Sequence, residues 1–236
     1  MEIKLNTYTT KARLLPALIV VLPLSISIFS INPEGILGWN ILWSLLVYSG
    51  VTILISEFGR DMGKTKESKL HKLWGGKRSL QLLRHSNNPN STLLKIRHKK
   101  LEKLINLNLP SIEEEQNNPN SADETYEICI RYLCNHTRNA KKFPLVFKEL
   151  CSYGFRRNLW GMKPLGLTFS LSSLFFISYL IYHSFDNLQT ILIIAFLLVF
   201  ILLLMWLLWI NPKWVKITDE AYVDRLLESM DDLLSK

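Results

Sequence analysis

Four uninterrupted apolar runs, each about twenty residues long, dominate the pattern of hydrophobic and polar positions along this chain. They occupy residues 14–31, 36–55, 165–185 and 190–210. Each is about as long as a helix must be to cross the roughly 30 Å hydrocarbon layer of a bilayer. Alternation with period two is absent, and in lipid only helices and closed barrels satisfy their backbone. The sequence therefore predicts an all-α polytopic membrane protein with four transmembrane helices in two hairpins.

Between the hairpins, hydrophobic positions recur at helical spacing in a polar background. The second span has no helix breaker before Gly75 and Gly76, so we expect its helix to continue to Trp74. A basic amphipathic helix is predicted from Ser91 or Thr92 to Pro110. Later helices are expected to start at a capping box of Ser121 and Glu124, at Phe143 (ending near Gly161) and at a capping Thr218. The sequence thus predicts a small helical domain inserted between spans 2 and 3.

The predicted organisation has four parts. Residues 1–56 form an N-terminal transmembrane hairpin, 57–163 a basic helical cytosolic domain, 164–210 a C-terminal transmembrane hairpin, and 211–236 a cytosolic amphipathic helix. The last of these has one apolar and one acidic face, which is unsuited to anionic lipid. We therefore expect the C-terminal helix to dock on the basic domain or to self-associate.

The charge distribution predicts the topology. Of the 28 Lys and Arg residues, three precede the first span, 21 lie in residues 57–163 and four follow the last span. The hairpin loops have none, and the central segment has only 11 acidic residues, so its net charge is +10. By the positive-inside rule, both termini and this segment are expected on the cytoplasmic side of the inner membrane.

The second span has the most polar side chains of the four. They recur every four residues, on neighbouring parts of one helix face: Asn40, Ser44, Tyr48, Thr52 and Ser56. Such a stripe either packs against other helices or lines the lumen of an oligomer, and packing is the more common outcome. Just beyond it, Gly59 and Gly63 are spaced to permit close approach of another helix.

Two basic sets in the central segment exceed what topology requires. They are Lys77, Arg78 and Arg84, and the cluster Lys95, Arg97, Lys99, Lys100 and Lys103. Attraction to anionic lipid or simple solvation explains part of this charge. The remainder favours an acidic protein partner, a phosphate-bearing ligand or nucleic acid.

Residues 153–164 join this basic segment to the third span. Two arginines, Arg156 and Arg157, lie between Gly154 and the Trp160–Gly161 pair. The composition is typical of a charged anchor at a membrane surface. We also interpret it as a juxtamembrane elbow, in which the two glycines permit a bend that carries a cytosolic event into the spans.

Motifs for catalysis are missing from the sequence. It has no phosphate-binding glycine loop, nucleophile elbow or paired Cys-x-x-Cys. Cys129, Cys134 and His136 match no standard zinc spacing and are interpreted as a buried helix face, while Glu113, Glu114 and Glu115 are interpreted as a solvated loop. The spans contain no Asp, Glu, Lys or Arg, which argues against a coupled transporter. We expect no enzyme activity, no metal and no cofactor.

The arrangement of spans around a small basic cytosolic domain resembles the four-span inner-membrane effectors and sensors of bacterial anti-phage defence systems. No motif contributes to this resemblance, so it implies no individual site residues. It implies a protein in which the cytosolic domain receives a signal and the spans oligomerise to perturb the membrane.

Two functional hypotheses follow from these observations. In the first, the chain is a homo-oligomeric membrane effector or sensor that recognises a ligand or partner and permeabilises the membrane as a pore. In the second, it is a structural anchor that recruits a soluble partner enzyme through its basic face. A membrane-embedded enzyme that acts on lipid, with His183 or His136 as its base, is a third and weaker hypothesis.

Overall fold

All regular structure in the described part of the chain is helical. The computed structural model describes residues 7–31, 39–86, 90–183 and 188–235, without the side chains of 39–48, 188 and 189. No strand occurs within these ranges. The chain divides into two compact units. Unit 1 comprises Met1–Glu67 and Gly154–Val215, and unit 2 comprises Ser68–Tyr153 and Lys216–Lys236.

Eleven helices are found in the described ranges. Their bounds are α1 Thr7–Ile31, α2 Trp39–Leu73, α3 Arg78–Gln81, α4 Ser91–Ile105, α5 Ile112–Asn117, α6 Pro119–His136, α7 Pro144–Gly161, α8 Lys163–His183, α9 Leu188–Leu204, α10 Pro212–Glu228 and α11 Met230–Leu234. Within α1, Thr10–Leu14 is π-helical, and a π-helical turn, Met205–Trp209, extends α9. The predicted continuation of the second helix toward Trp74 is confirmed, since α2 ends at Leu73 before two glycines with positive φ.

Three helices in the described residues are long and apolar enough to cross a membrane, rather than the four predicted. They are Thr7–Ile31, Lys163–His183 and Thr190–Trp209. The predicted span at residues 36–55 begins outside the described residues, and its remainder forms the first half of α2. The all-helical class is confirmed, and the four-span arrangement stays a prediction.

The three candidate spans of unit 1 pack against one another. α8 and α9 share a core of Ile177, Leu192, Ala195 and Val199, and α1 contacts both helices. One face of the last span is therefore buried within unit 1. The opposite face of α9 is exposed, including Ile194 and Ile201.

Trp206 provides the tightest packing between α8 and the end of α9. It is fully buried. Its ring lies directly over Gly166, where an added Cβ would be 2.2 Å from the indole. A glycine is therefore required at position 166, since any side chain would occupy the space of the indole ring.

The core of unit 2 is built from α3, α4, α6 and the C-terminal helices. Leu101, Tyr126 and Leu133 are fully buried there together with Leu226 and Leu227. α11 packs against the basic helix α4. The predicted docking of the C-terminal helix on the basic domain is therefore confirmed. Its predicted start at Thr218 is wrong, because α10 begins at Pro212 and Thr218 is buried inside it.

The capping box of unit 2 occurs one helix earlier than predicted. Ser111 and Glu114 form it at the start of α5, whereas α6 is capped by the Asn118 side chain. The acidic run of Glu113, Glu114 and Glu115, predicted to be a solvated loop, is thus the first turn of α5, where carboxylates complement the helix dipole.

One member of that acidic run, Glu115, is 95% buried at the centre of a polar cluster. Its carboxylate accepts hydrogen bonds from the backbone N–H groups of His85 (2.9 Å) and Ser86 (3.1 Å) and from the Tyr126 hydroxyl (2.8 Å). Burial raises the pKa of Glu115, but the three donated bonds outweigh it and lower the pKa below its ordinary value. Glu115 therefore holds residues 85 and 86 against α5 and α6.

His98 lies beside this cluster and is also buried. Its Nε2 is 2.7 Å from the Leu83 carbonyl oxygen, and its ring contacts His85 edge to face at 4.9 Å. Burial lowers the pKa of His98, and the electrostatic interaction with His85 adds to this effect, whereas the Leu83 bond and the carboxylates of Glu102 and Glu115 oppose it. The neutral imidazole is thus the form that the fold accommodates.

Unit 2 is expected to lose stability in two steps as the pH falls. A lowered pKa means that the unfolded chain takes up its proton at higher pH, so stability from His98 is lost below about pH 6.5 and that from Glu115 below about pH 4.5. Between pH 7 and pH 5 we expect a loss of stability on the order of 1 kcal/mol.

The measurement is the urea concentration at which buried Cys129 becomes half reactive toward a thiol label. Cys134→Ser and Cys151→Ser leave Cys129 as the one labelled cysteine, and labelling rates are referenced to free cysteine. His98→Gln keeps a donor for Leu83 without titrating. An unchanged loss in that variant would contradict the assignment to His98.

Candidate functional site at the helix junction

The stretch interpreted as an elbow is helical almost throughout. α7 continues to Gly161, Met162 is a single turn residue, and α8 begins at Lys163. Within unit 1 this stretch contacts α1, α2 and the end of α9. We call the set of contacts the helix junction: Ala12 of α1; Gly59, Gly63, Lys66 and Glu67 of α2; Gly154, Arg156, Arg157, Asn158 and Gly161 of α7; Met162 and Lys163; and Ile210 and Trp214.

Glycines bring the helices of the junction together. A Cβ added at Gly161 would lie 2.6 Å from the backbone nitrogen of Gly63, so no side chain fits between the two backbones. At Gly59 an added Cβ would be 2.4 Å from Sδ of Met162, and at Gly154 it would be 2.9 Å from Cβ of Ala12. The predicted close approach at Gly59 and Gly63 is confirmed. Gly154 and Gly161 occupy helix contacts, and α7 is continuous through Gly154.

Asn158 donates a hydrogen bond to α1 at a point where a proline removes a backbone donor. In a regular α-helix the Ala12 carbonyl would accept a hydrogen bond from residue 16, but Pro16 has no N–H. The Asn158 side chain, 1% exposed, donates from Nδ2 to the Ala12 carbonyl at 2.7 Å. Since an unpaired carbonyl in an apolar environment is costly, this bond stabilises the start of the first span against α7.

Charged side chains of α2 and α7 are paired across the glycine contact. Arg157 forms an ion pair with Glu67, with Nη1 and Oε1 3.0 Å apart and side chains 14% and 23% exposed. Lys66 donates from Nζ to the Gly161 carbonyl at 2.7 Å, near the ring of Trp160. Both bonds join α2 to α7 and would be lost to water or lipid headgroups if the two helices separated. They therefore favour the closely packed arrangement.

The other cations of the junction contact the chain that follows α9. Lys163 donates from Nζ to the carbonyl of Ile210 at 2.8 Å. Arg156 donates from Nη1 to the Trp214 carbonyl at 2.8 Å, and its guanidinium carbon lies 4.7 Å from the centre of the Trp214 ring. Lys163, at a carbonyl that follows the end of α9, complements the negative end of that helix dipole, whereas Trp214 lies in the first turn of α10. The two arginines predicted to grip headgroups therefore differ, since Arg157 is paired with α2 while Arg156 stacks on an aromatic ring.

Part of the predicted polar stripe lies outside the described side chains, namely Asn40, Ser44 and Tyr48. Of the described members, Thr52 is 5% and Ser56 3% exposed, and the Ser56 hydroxyl donates to the Ile53 carbonyl of its own helix. The buried stripe continues through Gly59 and Gly63, whereas Leu54 and Phe58 on the other side of α2 are more than half exposed. For Thr52 and Ser56 this geometry favours helix packing.

Internal pairing accounts for much of the predicted basic face of unit 2. Four of its cations form ion pairs: Lys77 with Glu127, Arg84 with Asp123, Arg97 with Asp224 and Lys100 with Asp231. Arg78 is partly buried in α3. Lys95, Lys99 and Lys103 are exposed in one row along α4 and make no ion pair with any described residue. These three residues are the accessible part of the basic face.

The cysteines of unit 2 have structural surroundings. Cys129 is fully buried in the core, and burial raises the pKa of its thiol to about 11. Cys134 lies 3.6 Å from the Tyr222 hydroxyl, and His136 stacks on Tyr132. Within the described ranges no cluster of three or more His, Cys, Asp or Glu side chains is arranged to hold a metal ion.

Sequence reasoning missed several residues of the junction. Asn158 had one available signal, the proline four positions after a carbonyl that would lack its donor. The charges of Lys66 and Lys163 could be explained by the positive-inside rule. The specific partners of Lys66, Glu67 and Lys163 are 95, 90 and 47 residues away in sequence. No local sequence pattern predicts pairs between residues so far apart.

A comparison of the chain with protein-family models, with curated proteins and with solved structures finds no match.

The bond from Asn158 to Ala12 predicts a specific rescue. Asn158→Ala should destabilise the protein in detergent by about 1–3 kcal/mol, because it leaves a buried carbonyl unpaired. Pro16→Ala restores a backbone donor for that carbonyl, so the cost of Asn158→Ala should fall by at least half in the Pro16→Ala background. Thermal unfolding of the four proteins gives the coupling energy. Additive effects of the two substitutions would show that Asn158 does not replace the missing N–H.

The glycine contact predicts opposite effects for two glycines of similar helical setting. Gly161→Ala should lower the unfolding temperature by several degrees, because its Cβ would overlap the Gly63 backbone. Gly50→Ala, where nothing lies within 4 Å of the added Cβ, should be neutral or stabilise the helix by up to about 1 kcal/mol. Thermal unfolding in detergent distinguishes the two, and equal tolerance of both substitutions would contradict the close approach.

Proposed function

We propose that this chain is a non-enzymatic membrane effector or sensor with four spans, residues 36–55 forming the second span. Three candidate spans support this proposal, as does the apolar first half of α2, whose exposed Leu54 and Phe58 suit lipid contact. The positive-inside distribution of Lys and Arg supports both termini on the cytoplasmic side of the cell inner membrane. The resemblance in arrangement to anti-phage effectors supports a role for this chain in anti-phage defence.

The helix junction is the observation that carries the proposal. It ties the starts of α1 and α8 and the end of α9 to α2 and α7. α7 supplies residues to both units, Pro144–Tyr153 to unit 2 and Gly154–Gly161 to unit 1. A ligand or partner that shifts α7 must therefore strain the Arg157–Glu67 and Asn158–Ala12 bonds. Rearrangement of the spans in an oligomer then perturbs the membrane, and the closely packed junction corresponds to the resting state.

A second candidate function, a structural anchor for a soluble partner, is favoured by the row of Lys95, Lys99 and Lys103. Exposed Leu93 and Ile96 lie beside this row, so the face combines positive charge with apolar surface, as partner-binding helix faces do. An acidic protein is the partner that this face fits. Retention of such a partner through these three lysines, with an intact membrane throughout, would favour the anchor over the effector.

The effector proposal predicts dye leakage that depends on the Arg157–Glu67 pair. Expression of the wild-type chain in bacteria should admit propidium iodide when its ligand or partner is present, as during phage infection. Without infection, the single reversals Arg157→Glu and Glu67→Arg should each raise leakage at least threefold, because each places two like charges in the junction and so opens it. The double reversal, which restores an opposite-charge pair, should return leakage toward the wild-type value.

Lys64→Glu is the matched control, since Lys64 is an exposed residue of α2 within one turn of Glu67. It should leave leakage unchanged while the total charge changes by the same amount as in Arg157→Glu. Absence of leakage for the wild type, at expression levels verified in the membrane fraction and during phage infection, would overturn the effector proposal.

A further inference from the structure

An apolar groove opens on the surface of unit 1 beside the helix junction. It has a volume of about 600 Å³. Ile19 of α1, Phe155 and Leu159 of α7, Ile201 and Met205 at the end of α9, and Trp214 contribute to its lining, which is made entirely of apolar and aromatic side chains. This volume is within the range of about 300–1,000 Å³ that is typical of ligand-binding sites.

Two cations of the junction hold residues of the groove wall. Arg156 lies over the ring of Trp214, whose other close neighbour is the Phe155 ring at 6.4 Å. Lys163 donates to the carbonyl of Ile210, which also lines the groove. An apolar groove with two cations beside its lining residues Trp214 and Ile210 has the same division of chemistry as a phospholipid, with its acyl chain and its phosphate.

We propose that this groove binds one acyl chain of an anionic phospholipid, with the lipid phosphate at Arg156 and Lys163. The lining residues of α1 and α9 belong to helices that are apolar enough to span a membrane, so lipid chains have access to the groove from the bilayer. A guanidinium carries five N–H donors, which allows a phosphate and the Trp214 carbonyl to share Arg156. The site is distinct from the basic face of unit 2, and it does not depend on the effector proposal.

The positive charges of Arg156 and Lys163 decide which lipids the groove selects. A zwitterionic headgroup presents a phosphate together with its own cation, and that cation is repelled by Arg156 and Lys163. A phosphatidylglycerol headgroup presents the phosphate alone. Two cations near the headgroup are therefore expected to favour the anionic lipid about tenfold.

The experiment is native mass spectrometry of the full chain in detergent, titrated with phosphatidylglycerol or phosphatidylcholine that carry the same acyl chains. We expect one tightly retained phosphatidylglycerol per chain and a dissociation constant about tenfold below that for phosphatidylcholine. The Arg156→Gln, Lys163→Gln variant should bind the two lipids equally. Arg156→Lys, which keeps the charge, should keep most of the preference, and circular dichroism verifies the helical content of each variant.

A second pair of variants tests the groove itself. Ile201→Trp fills the groove and should weaken binding of phosphatidylglycerol at least fivefold. Ile194→Trp is the matched control, because Ile194 is also an exposed isoleucine of α9 but does not line the groove.

Four results would overturn the proposal. They are equal affinity of the wild type for the two lipids, an unchanged preference in the double-glutamine variant, equal effects of the two tryptophan substitutions, and a stable dimer that excludes lipid from the groove. The last of these would identify a second copy of the chain as the occupant.

Discussion

The close approach of two helix backbones at Gly63 and Gly161 is the constraint on which unit 1 depends. Where the backbones touch, side chains one turn further along reach across the contact without extending into solvent. Lys66 thus reaches the Gly161 carbonyl, and Glu67 reaches Arg157. Asn158, on the same side of α7, is brought to the Ala12 carbonyl. A larger residue at either glycine would separate all three contacts at once, because they share one short stretch of α7.

A second principle of the junction is that side chains donate hydrogen bonds to backbone carbonyls where helices break, end or begin. Pro16 leaves a carbonyl for Asn158, the turn after α9 presents the Ile210 carbonyl to Lys163, and the start of α10 presents the Trp214 carbonyl to Arg156. Positive charge near the ends of spans is normally explained by topology alone. Here the same cations also bond to specific carbonyls, so their positions are constrained more narrowly than orientation in the membrane requires.

Local pattern in the sequence was enough to predict the helical class, the length of α2, the end of α7 and the docking of the C-terminal helix. These features depend on apolar periodicity, on helix breakers such as Gly75 and Gly76, and on an acidic and apolar helix with a basic neighbour.

Other features required knowledge of distant partners. Ser121 and Glu124 have the spacing of a capping box as surely as Ser111 and Glu114, but α6 begins at Pro119 with Asn118 as its cap, so Ser121 lies inside the helix. Glu115 appeared solvated because its burial depends on His85, Ser86 and Tyr126. Likewise, the sequence suggests that Arg84 and Lys100 are available for a ligand, because it does not show that each is paired with an acidic residue in α6 or α11.

The bond between Ala12 and Asn158 has a consequence for biosynthesis. The two residues are 146 positions apart, and at a translation rate of about 5–20 residues per second the ribosome needs roughly 7–30 s to make the intervening chain. During that interval the first helix has a carbonyl that lacks both its usual backbone donor and its eventual side-chain donor. Unit 2 is completed later still, since Val223, Leu226, Leu227 and Met230 belong to its core. The first span is thus made well before its full set of polar contacts can form, because Asn158 follows Ala12 by 146 residues.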